Sequence, residues 1–478
     1  MRVPPRLKVR PLPADIARLV RRQMAETKTP GIAVGMLLDG RAYAQGFGVT
    51  NVSVPSPVNT ETLFQIGSTG KTFTATAIMR LVERGDLDLD VPVRRYLPDF
   101  RLRDPDVQRR VTLRHLLTHT GGWAGDLFPD TGRGDDALAR AVAALRKVPQ
   151  LTPLGSAWHY NNAGFYVAGR ILEKATGMSY ERAIKELLLD PLGMTHSFFL
   201  AEDLLPYRVA TGHAEHRGKQ VPQPWWGLRS VAPAGGLVSD VVDQLRWAEF
   251  NLGDGRAPGG DRLLKRSTMT MMQREQAKAG ALADAVGISW LLDEVGGTKI
   301  VSHGGTTIGQ LSSFAMVPSR KLAITTMSNS TSGRSLNRAI VAHVLERYGD
   351  VHRIPPVIPP ANRDELARYQ GRYVDAFKQL EISLRPAGAR LKGTLTALAP
   401  GEDGSLPTIR LALTGPDRAV HDRDIYAGLR AEFLRSEAGR LTFLRLGGRL
   451  YRRVSATPDN AVKAKKRNPR AGRTASKT

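Results

Sequence analysis

The sequence predicts a mixed α/β (α+β) fold: an antiparallel sheet flanked by helices with a helical region, followed by a C-terminal all-β barrel. Three observations carry that prediction. Near the start, Asp39-Gly40 joins two strand-like runs, Gly31–Leu38 and Arg41–Gly48, and an Asp-Gly pair in that setting is a strong hairpin signal. Helical spacing then dominates the middle of the chain, and strand-like runs return late. Finally, the stiff stretch Arg353-Ile354-Pro355-Pro356-Val357-Ile358-Pro359-Pro360 precedes short alternating runs separated by turn residues.

In chain order, residues 13–25 read as a helix with Ile16, Leu19 and Val20 on one face, and the hairpin follows. Residues 69–84 have helical spacing through Phe73, Ala77, Ile78 and Leu81, with Gly85 at the stop. Further helices are predicted over Leu113–Leu117, 136–146, 163–176, 180–189 and 241–251. Strands are predicted over 287–292, 299–302, 311–318 and 321–327, and a last helix over 336–348. Beyond the prolines, strand-like runs fall at 371–375, 380–385, 390–396, 409–414, 432–435, Leu441–Leu446 and Arg449–Val454. The implied organisation is a domain over 1–352, a linker over 353–361, a small barrel over 362–455 and a disordered basic tail over 456–478.

Composition narrows the function. At 478 residues the chain is long for one domain, and 41% hydrophobic with 24% charged residues is ordinary for a folded protein. There is no cysteine, so disulfides, thiolate metal sites and cysteine nucleophiles are excluded together. The net charge is +24, to which the tail contributes Lys463, Lys465, Lys466, Arg467, Arg470, Arg473 and Lys477. It reads as a solvated basic surface with a nonspecific tail rather than a dedicated nucleic-acid site. No run of about 18 apolar residues suggests a membrane span, and the basic N-terminus lacks the continuous apolar core of a secretory signal. The expected location is cytoplasmic.

Three segments can carry chemistry. In Ser68-Thr69-Gly70-Lys71 the serine and lysine are three apart, so a helix starting at Ser68 places them on one face. A serine hydroxyl needs a neighbouring base, and lysine serves once burial or a nearby cation makes its neutral form accessible. The same residues nearly match a phosphate-binding loop, but Gln65 stands where its first glycine belongs. In Tyr160-Asn161-Asn162 a phenol near a lysine can relay a proton, and Asn162 offers both donor and acceptor. The plainer reading makes Asn162 the cap of the following helix. In His303-Gly304-Gly305-Thr306 the glycines allow a substrate backbone to lie along a strand edge, and the N–H of Thr306 can join that of Ser68 around an oxyanion. The plainer reading is a glycine turn between strands. His115 and His119 stand at metal-ligand spacing on one face of a short helix, but no third ligand accompanies them, so structural roles are expected.

Taken together and in this order, the three segments resemble the serine β-lactamase and penicillin-binding protein superfamily, with its Ser-x-x-Lys, Tyr-x-Asn and Lys/His-x-Gly motifs. The nearer resemblance is to its branch of class C β-lactamases, DD-peptidases, D-aminopeptidases and esterases. Leu116-Leu117-Thr118-His119-Thr120-Gly121-Gly122, Pro191-Leu192-Gly193-Met194 and Pro233-Ala234-Gly235-Gly236-Leu237 are similar to further stretches of that family. The C-terminal region resembles the lipocalin-like barrels of some relatives, opening with Tyr369-Gln370-Gly371-Arg372-Tyr373.

The resemblance implies a β-lactamase/transpeptidase-like fold and hydrolysis of an ester or amide through an acyl-enzyme on Ser68. Lys71 and Tyr160 would manage the proton. Asn162, His303, Gly305 and Thr306 would bind substrate, without metal or cofactor. His303 stands where class C β-lactamases have lysine, which favours small esters or D-amino-acid peptides over β-lactams. The expected partner is a small molecule or short peptide, and the oligomeric state is left open. The alternatives are a catalytically idle binding or sensor protein on the same fold and, from the loop resemblance, a nucleotide-binding protein.

Overall fold

Strand β1 (Gly31–Leu38) is apolar at nearly every position because both of its faces are covered. Ile32, Val34 and Met36 point to one side, where they meet Ile16 and Val20 of α1 (Ala14–Thr27) and three other buried residues, Leu336, Ile340 and Val344. Ala33 and Leu37 point to the other, into the larger core that also holds Phe73, Val241, Leu245 and Phe314. The computed structural model describes residues 4, 6–377, 380–397, 409–422 and 428–454. The basic tail predicted over 456–478 lies outside the described residues.

The hairpin forms as predicted. β1 turns through Asp39 and Gly40, both at positive φ, into β2 (Arg41–Gly48). The remaining strands of this sheet come late: β3 (Ala277–Lys278), β4 (Ala285–Val286), β5 (Leu291–Val295), β6 (Thr298–Thr306), β7 (Leu311–Val317) and β8 (Leu322–Ser328). Their order is β2-β1-β8-β7-β6-β5-β4-β3, and every neighbour is antiparallel. Between β2 and β3 lie the helices that cover the second face: α2 (Lys71–Arg84), α3 (Leu113–Leu117), α4 (Asn162–Thr176) and α5 (Val241–Leu252). Phe73 of α2 stacks on Trp247 of α5 at 3.9 Å between ring centroids. α6 (Gly333–Gly349) closes the first face beside α1.

Two predicted boundaries move, with consequences for the chemistry. The helix expected from residue 69 begins at Lys71, and Gly67–Gly70 forms a 3₁₀ turn that leads into it. The strand expected over 299–302 runs on to Thr306, so His303, Gly304 and Gly305 lie inside β6, not in a turn. Residue 119 falls beyond the end of α3 and has φ 59, so His115 and His119 do not share a helix face.

Residues 351–362 carry no regular secondary structure, and Ile354 and Val357 stand exposed. Eight strands then close a barrel: β9 (Gly371–Val374), β10 (Leu380–Ala387), β11 (Arg390–Ala397), β12 (Ile409–Gly415), β13 (Arg418–His421), β14 (Arg430–Arg435), β15 (Leu441–Leu446) and β16 (Arg449–Val454). Each pairs with the next and β16 pairs with β9, which leaves no free edge. β13 was not among the strand-like runs predicted from sequence. The barrel core is Tyr373, Ile382, Leu384, Leu391, Leu411, Phe433 and Leu444. The barrel meets the β3–β5 end of the main sheet, where Arg430 bonds Asp284 at 2.6 Å and Asp293 at 3.0 Å.

Ile340 is fully buried between α6 and the sheet. Ile340→Ala should lower unfolding free energy by about 2–4 kcal/mol, measured by urea denaturation, through lost apolar transfer plus the cavity left behind.

Candidate active site

Ser68 lies in the 3₁₀ turn, and two backbone approaches hold that turn against the edge of β6. A Cβ on Gly305 would stand 1.8 Å from the Ile66 carbonyl oxygen, so only glycine allows β6 to pass so close. A Cβ on Gly67 would stand 2.8 Å from the Thr306 nitrogen, which places the Thr306 backbone beside the turn carrying Ser68. Hydroxyls lock the joint from the neighbouring strand. Ser312 Oγ donates to the Ile66 carbonyl at 2.7 Å and lies 2.9 Å from Thr69 Oγ1.

Lys71 is the first residue of α2 and is completely buried. Its Nζ lies 3.0 Å from Ser68 Oγ and donates to the Ala234 carbonyl at 2.5 Å. Burial drives its pKa well below the ordinary lysine value, and the Arg449 cation adds to the effect, against a smaller opposing pull from Asp126. The N-terminal end of α2 also disfavours a cation there. Ser68 itself is only half-buried, so the hydroxyl can be reached while its neighbour is sealed off. Lys71 is thereby committed inward and is not held out towards a phosphate, as a nucleotide-binding loop requires.

Tyr160 arrives from the segment before α4. Its ring lies 5.0 Å from Lys71 Nζ and stacks at 4.4 Å on His119. His119 Nδ1 in turn accepts the Asn161 N–H at 3.0 Å, so this histidine braces both the tyrosine and the backbone next to it. Burial raises the Tyr160 phenol far above its ordinary value, while the nearby Ser68 hydroxyl and the Arg449 cation pull it back in part. Its hydroxyl faces Ser68 closely enough to feel it but makes no well-formed hydrogen bond in the resting site, a common looseness before substrate binds.

The helix cap is Asn161, whose Oδ1 accepts the Gly164 N–H at 2.8 Å, and not Asn162 as the plainer reading supposed. Asn162 is thus freed, and its Nδ2 donates to Asp126 Oδ1 at 2.7 Å. His303 is buried, with Nδ1 2.7 Å from the Gly304 carbonyl. The carbonyl can only accept, so Nδ1 carries the proton and Nε2 presents a lone pair, with no partner among the described residues. Burial, helped by the neighbouring Lys71, lowers the pKa of His303 to about 3. The ring centroids of His303 and Tyr160 are 6.2 Å apart.

The fold therefore brings Ser68, Lys71, Tyr160, His303, Gly305 and Thr306 together, with Asn162 joined to them through Asp126 and Arg449. His115 is elsewhere, engaged in a capping box with Thr112. Among the described residues no group of three or more His, Asp or Glu side chains is arranged to hold a metal ion.

A model of the beta-lactamase family matches residues 16–346, which contain every one of these cleft residues except Arg449. The chain belongs to the beta-lactamase family. Its relatives include a penicillin-binding protein 4 from Amycolatopsis lactamdurans, 35% identical over 342 residues, covering 70% of this chain and 90% of that one. The esterase EstB from Burkholderia gladioli is 35% identical over 305 residues, 55% of this chain and 76% of its own. Among solved structures, SurE with D-Leu superposes with a TM-score of 0.72 at 29% identity, covering 92% of this chain and 99% of that one. That coverage extends beyond the family match into the barrel. The chain is a serine hydrolase of this beta-lactamase and penicillin-binding protein superfamily.

Sequence reading missed four participants in the cleft. Ala234 and His119 lay in segments singled out by resemblance, so a signal existed for both. Asp126 sits in an undistinguished loop, and Arg449 follows two glycines that read as any hairpin turn.

The neutral histidines make stability pH-dependent. The pKa of His303 is lowered to about 3 and that of His159 to about 4, both by burial, so the unfolded chain binds more protons than the folded one below about pH 6.5. Their contribution is complete above that pH and is lost as pH falls. His303→Asn should remove one proton of this difference, flattening the stability slope between pH 4 and 6 by about 1.4 kcal/mol per pH unit in urea titrations.

Proposed function

We propose that this protein hydrolyses a small ester or a D-amino-acid amide through an acyl-enzyme on Ser68. The observation that carries the proposal is the fully buried Lys71 amine 3.0 Å from a half-buried Ser68 hydroxyl. A buried amine with a lowered pKa is a base ready to take the serine proton.

In this reading Lys71 Nζ accepts that proton as Ser68 Oγ bonds to the substrate carbonyl carbon. The carbonyl oxygen becomes an oxyanion between the N–H groups of Ser68 and Thr306. Tyr160, which holds its proton because burial favours the neutral phenol, passes it to the leaving alkoxide or amine as the carbonyl–leaving-group bond breaks. The Lys71 ammonium then returns a proton to Tyr160. Deacylation runs the roles in reverse: the Tyr160–Lys71 pair takes a proton from water as the water oxygen bonds to the acyl carbon, and returns it to Ser68 Oγ as the acyl–Oγ bond breaks. Asn162 orients the bound acyl group.

His303 supports the choice of substrate. A neutral ring offering a lone pair accepts an N–H or O–H from substrate and does not anchor a carboxylate, which is what a β-lactam presents. Phe128 and Trp226, 6.1 Å apart in an edge-to-face pair, and the half-exposed Trp225 add an aromatic rim suited to apolar acyl groups. The Gln65 side chain, three residues before Ser68, donates to the Trp226 carbonyl and ties that rim to the turn. The similar protein SurE has been crystallised with D-Leu, which supports testing D-amino-acid substrates here.

Ser68→Ala should abolish p-nitrophenyl acetate hydrolysis and labelling by a fluorophosphonate, with an unchanged melting temperature. Parental turnover in that variant would refute the assignment. In a parallel screen, short esters and D-alanine amides should be cleaved faster than nitrocefin. His303→Lys should shift the nitrocefin-to-ester ratio of kcat/KM upward by roughly tenfold, the size of one charge-assisted hydrogen bond.

A further inference from the structure

The turn between β15 and β16 leaves the barrel and enters the cleft. Its Gly448 carbonyl accepts the N–H of Tyr160 at 2.8 Å. Gly448 has φ 78, and a Cβ there would stand 3.1 Å from the Trp158 ring, so glycine is what allows the turn to lie flat on that indole. The next residue, Arg449, places its guanidinium carbon 4.6 Å from the Tyr160 ring centroid. Its Nε bonds Asp126 Oδ2 at 2.9 Å and its Nη2 reaches Asp126 Oδ1 at 3.3 Å. That same Oδ1 accepts from Asn162 at 2.7 Å.

We propose that Arg449 is a positioning residue of the active site, supplied by the barrel and acting through Asp126, so that the cleft is assembled only while the β15–β16 turn is docked. The inference rests on the acyl-enzyme reading above and adds to it a second part of the chain. One barrel turn touches the backbone of Tyr160, the face of its ring and, through one carboxylate, the amide of Asn162. The pair is not entombed: Arg449 and Asp126 keep 38% and 34% of their side-chain surface, so it forms part of the cleft wall. His119 makes a neutral stack on the same ring at 4.4 Å, so the charged contacts to it come from Arg449 and Lys71.

Arg449 also sets the electrical balance on the proton-transfer groups. The formal charges that act on Lys71 are Arg449, which favours the neutral amine, and Asp126, which opposes it. The other titratable groups around the pair are His119 after α3, His159 beside Tyr160, His303 on β6, Tyr166 on α4 and Tyr451 on β16. Burial keeps the three histidines neutral and raises both tyrosines, so none of them replaces either charge near pH 7. Removing the guanidinium alone leaves a carboxylate that pulls protons onto Lys71 and Tyr160. Removing both charges restores the balance but not the contacts.

The test is the acid limb of the kcat/KM profile for p-nitrophenyl acetate, read in the full chain. Arg449→Gln should move that limb upward by at least about half a pH unit and lower kcat/KM at pH 7 by roughly tenfold or more. Asp126→Asn should move it downward, and the double variant should return it to the parental position while the rate stays low. Arg449→Lys keeps the charge and should leave the limb in place. A limb that stays put in Arg449→Gln, or a parental rate in the double variant, overturns the proposal. Should Arg449→Gln fail to fold, Asp126→Asn and the double variant still decide between these outcomes. Fluorophosphonate labelling of the parent separates the two levels of inference: an unlabelled, inactive parent refutes the Ser68 reading, whereas a labelled parent with an unresponsive Arg449→Gln refutes this one alone.

Discussion

One amine kept out of water organises the cleft. Lys71 has no exposure, its Nζ is shared between the Ser68 hydroxyl and the Ala234 carbonyl, and it stands at the first turn of a helix. Burial and the helix N-terminus disfavour the ammonium, burial most of all, while the Ala234 carbonyl accepts from the amine and holds it in place. The cost of stripping water from a lysine is met by the packing around it: Phe165 and Tyr160 present their faces at 5.5 Å and 5.0 Å, which tolerates a transient positive charge without stabilising it fully. An amine so placed can take up a proton and give it back, which is the property a serine hydrolase needs from it.

The same logic of burial explains the histidines. His119, His159 and His303 lie within the wall of the cleft, and all three are driven towards the neutral form chiefly by desolvation. Neutral imidazoles brace, accept or stack without adding charge next to Lys71. Among the described residues the formal charges acting on Lys71 are one guanidinium and one carboxylate, Arg449 and Asp126, 323 residues apart in the chain.

That arrangement gives the barrel a physical connection to the chemistry. A passive packing module would meet its neighbour through outer-surface contacts alone, such as Arg430 with Asp284 and Asp293. Here the barrel also sends a turn to the backbone of Tyr160, and the 92% coverage by SurE indicates that an architecture including this barrel recurs in that solved relative.

Much of this was legible in the sequence, and the reasons are local. The Asp39-Gly40 hairpin, the apolar run of β1, the three-residue spacing of Ser68 and Lys71 and the order of the three motifs are all properties of short windows, where backbone sterics and periodicity act. The order of elements likewise pointed to an α/β sheet with helices followed by a β-barrel, which is the fold observed. Asn161 and not Asn162 caps α4, because the helix begins one residue earlier than predicted and takes Asn162 into its first turn. What else failed at short range was settled by neighbours far along the chain. His303-Gly304-Gly305 is strand and not turn, because β6 pairs with β7 through those residues while Gly305 passes the Ile66 carbonyl. Asp126 and Arg449 stand 323 residues apart, and no periodicity or motif links them. The sequence by itself determined which residue types could do the chemistry and the order in which they occur. Only the tertiary structure decided their protonation, tautomer and partners, because those depend on desolvation and on contacts made across the fold.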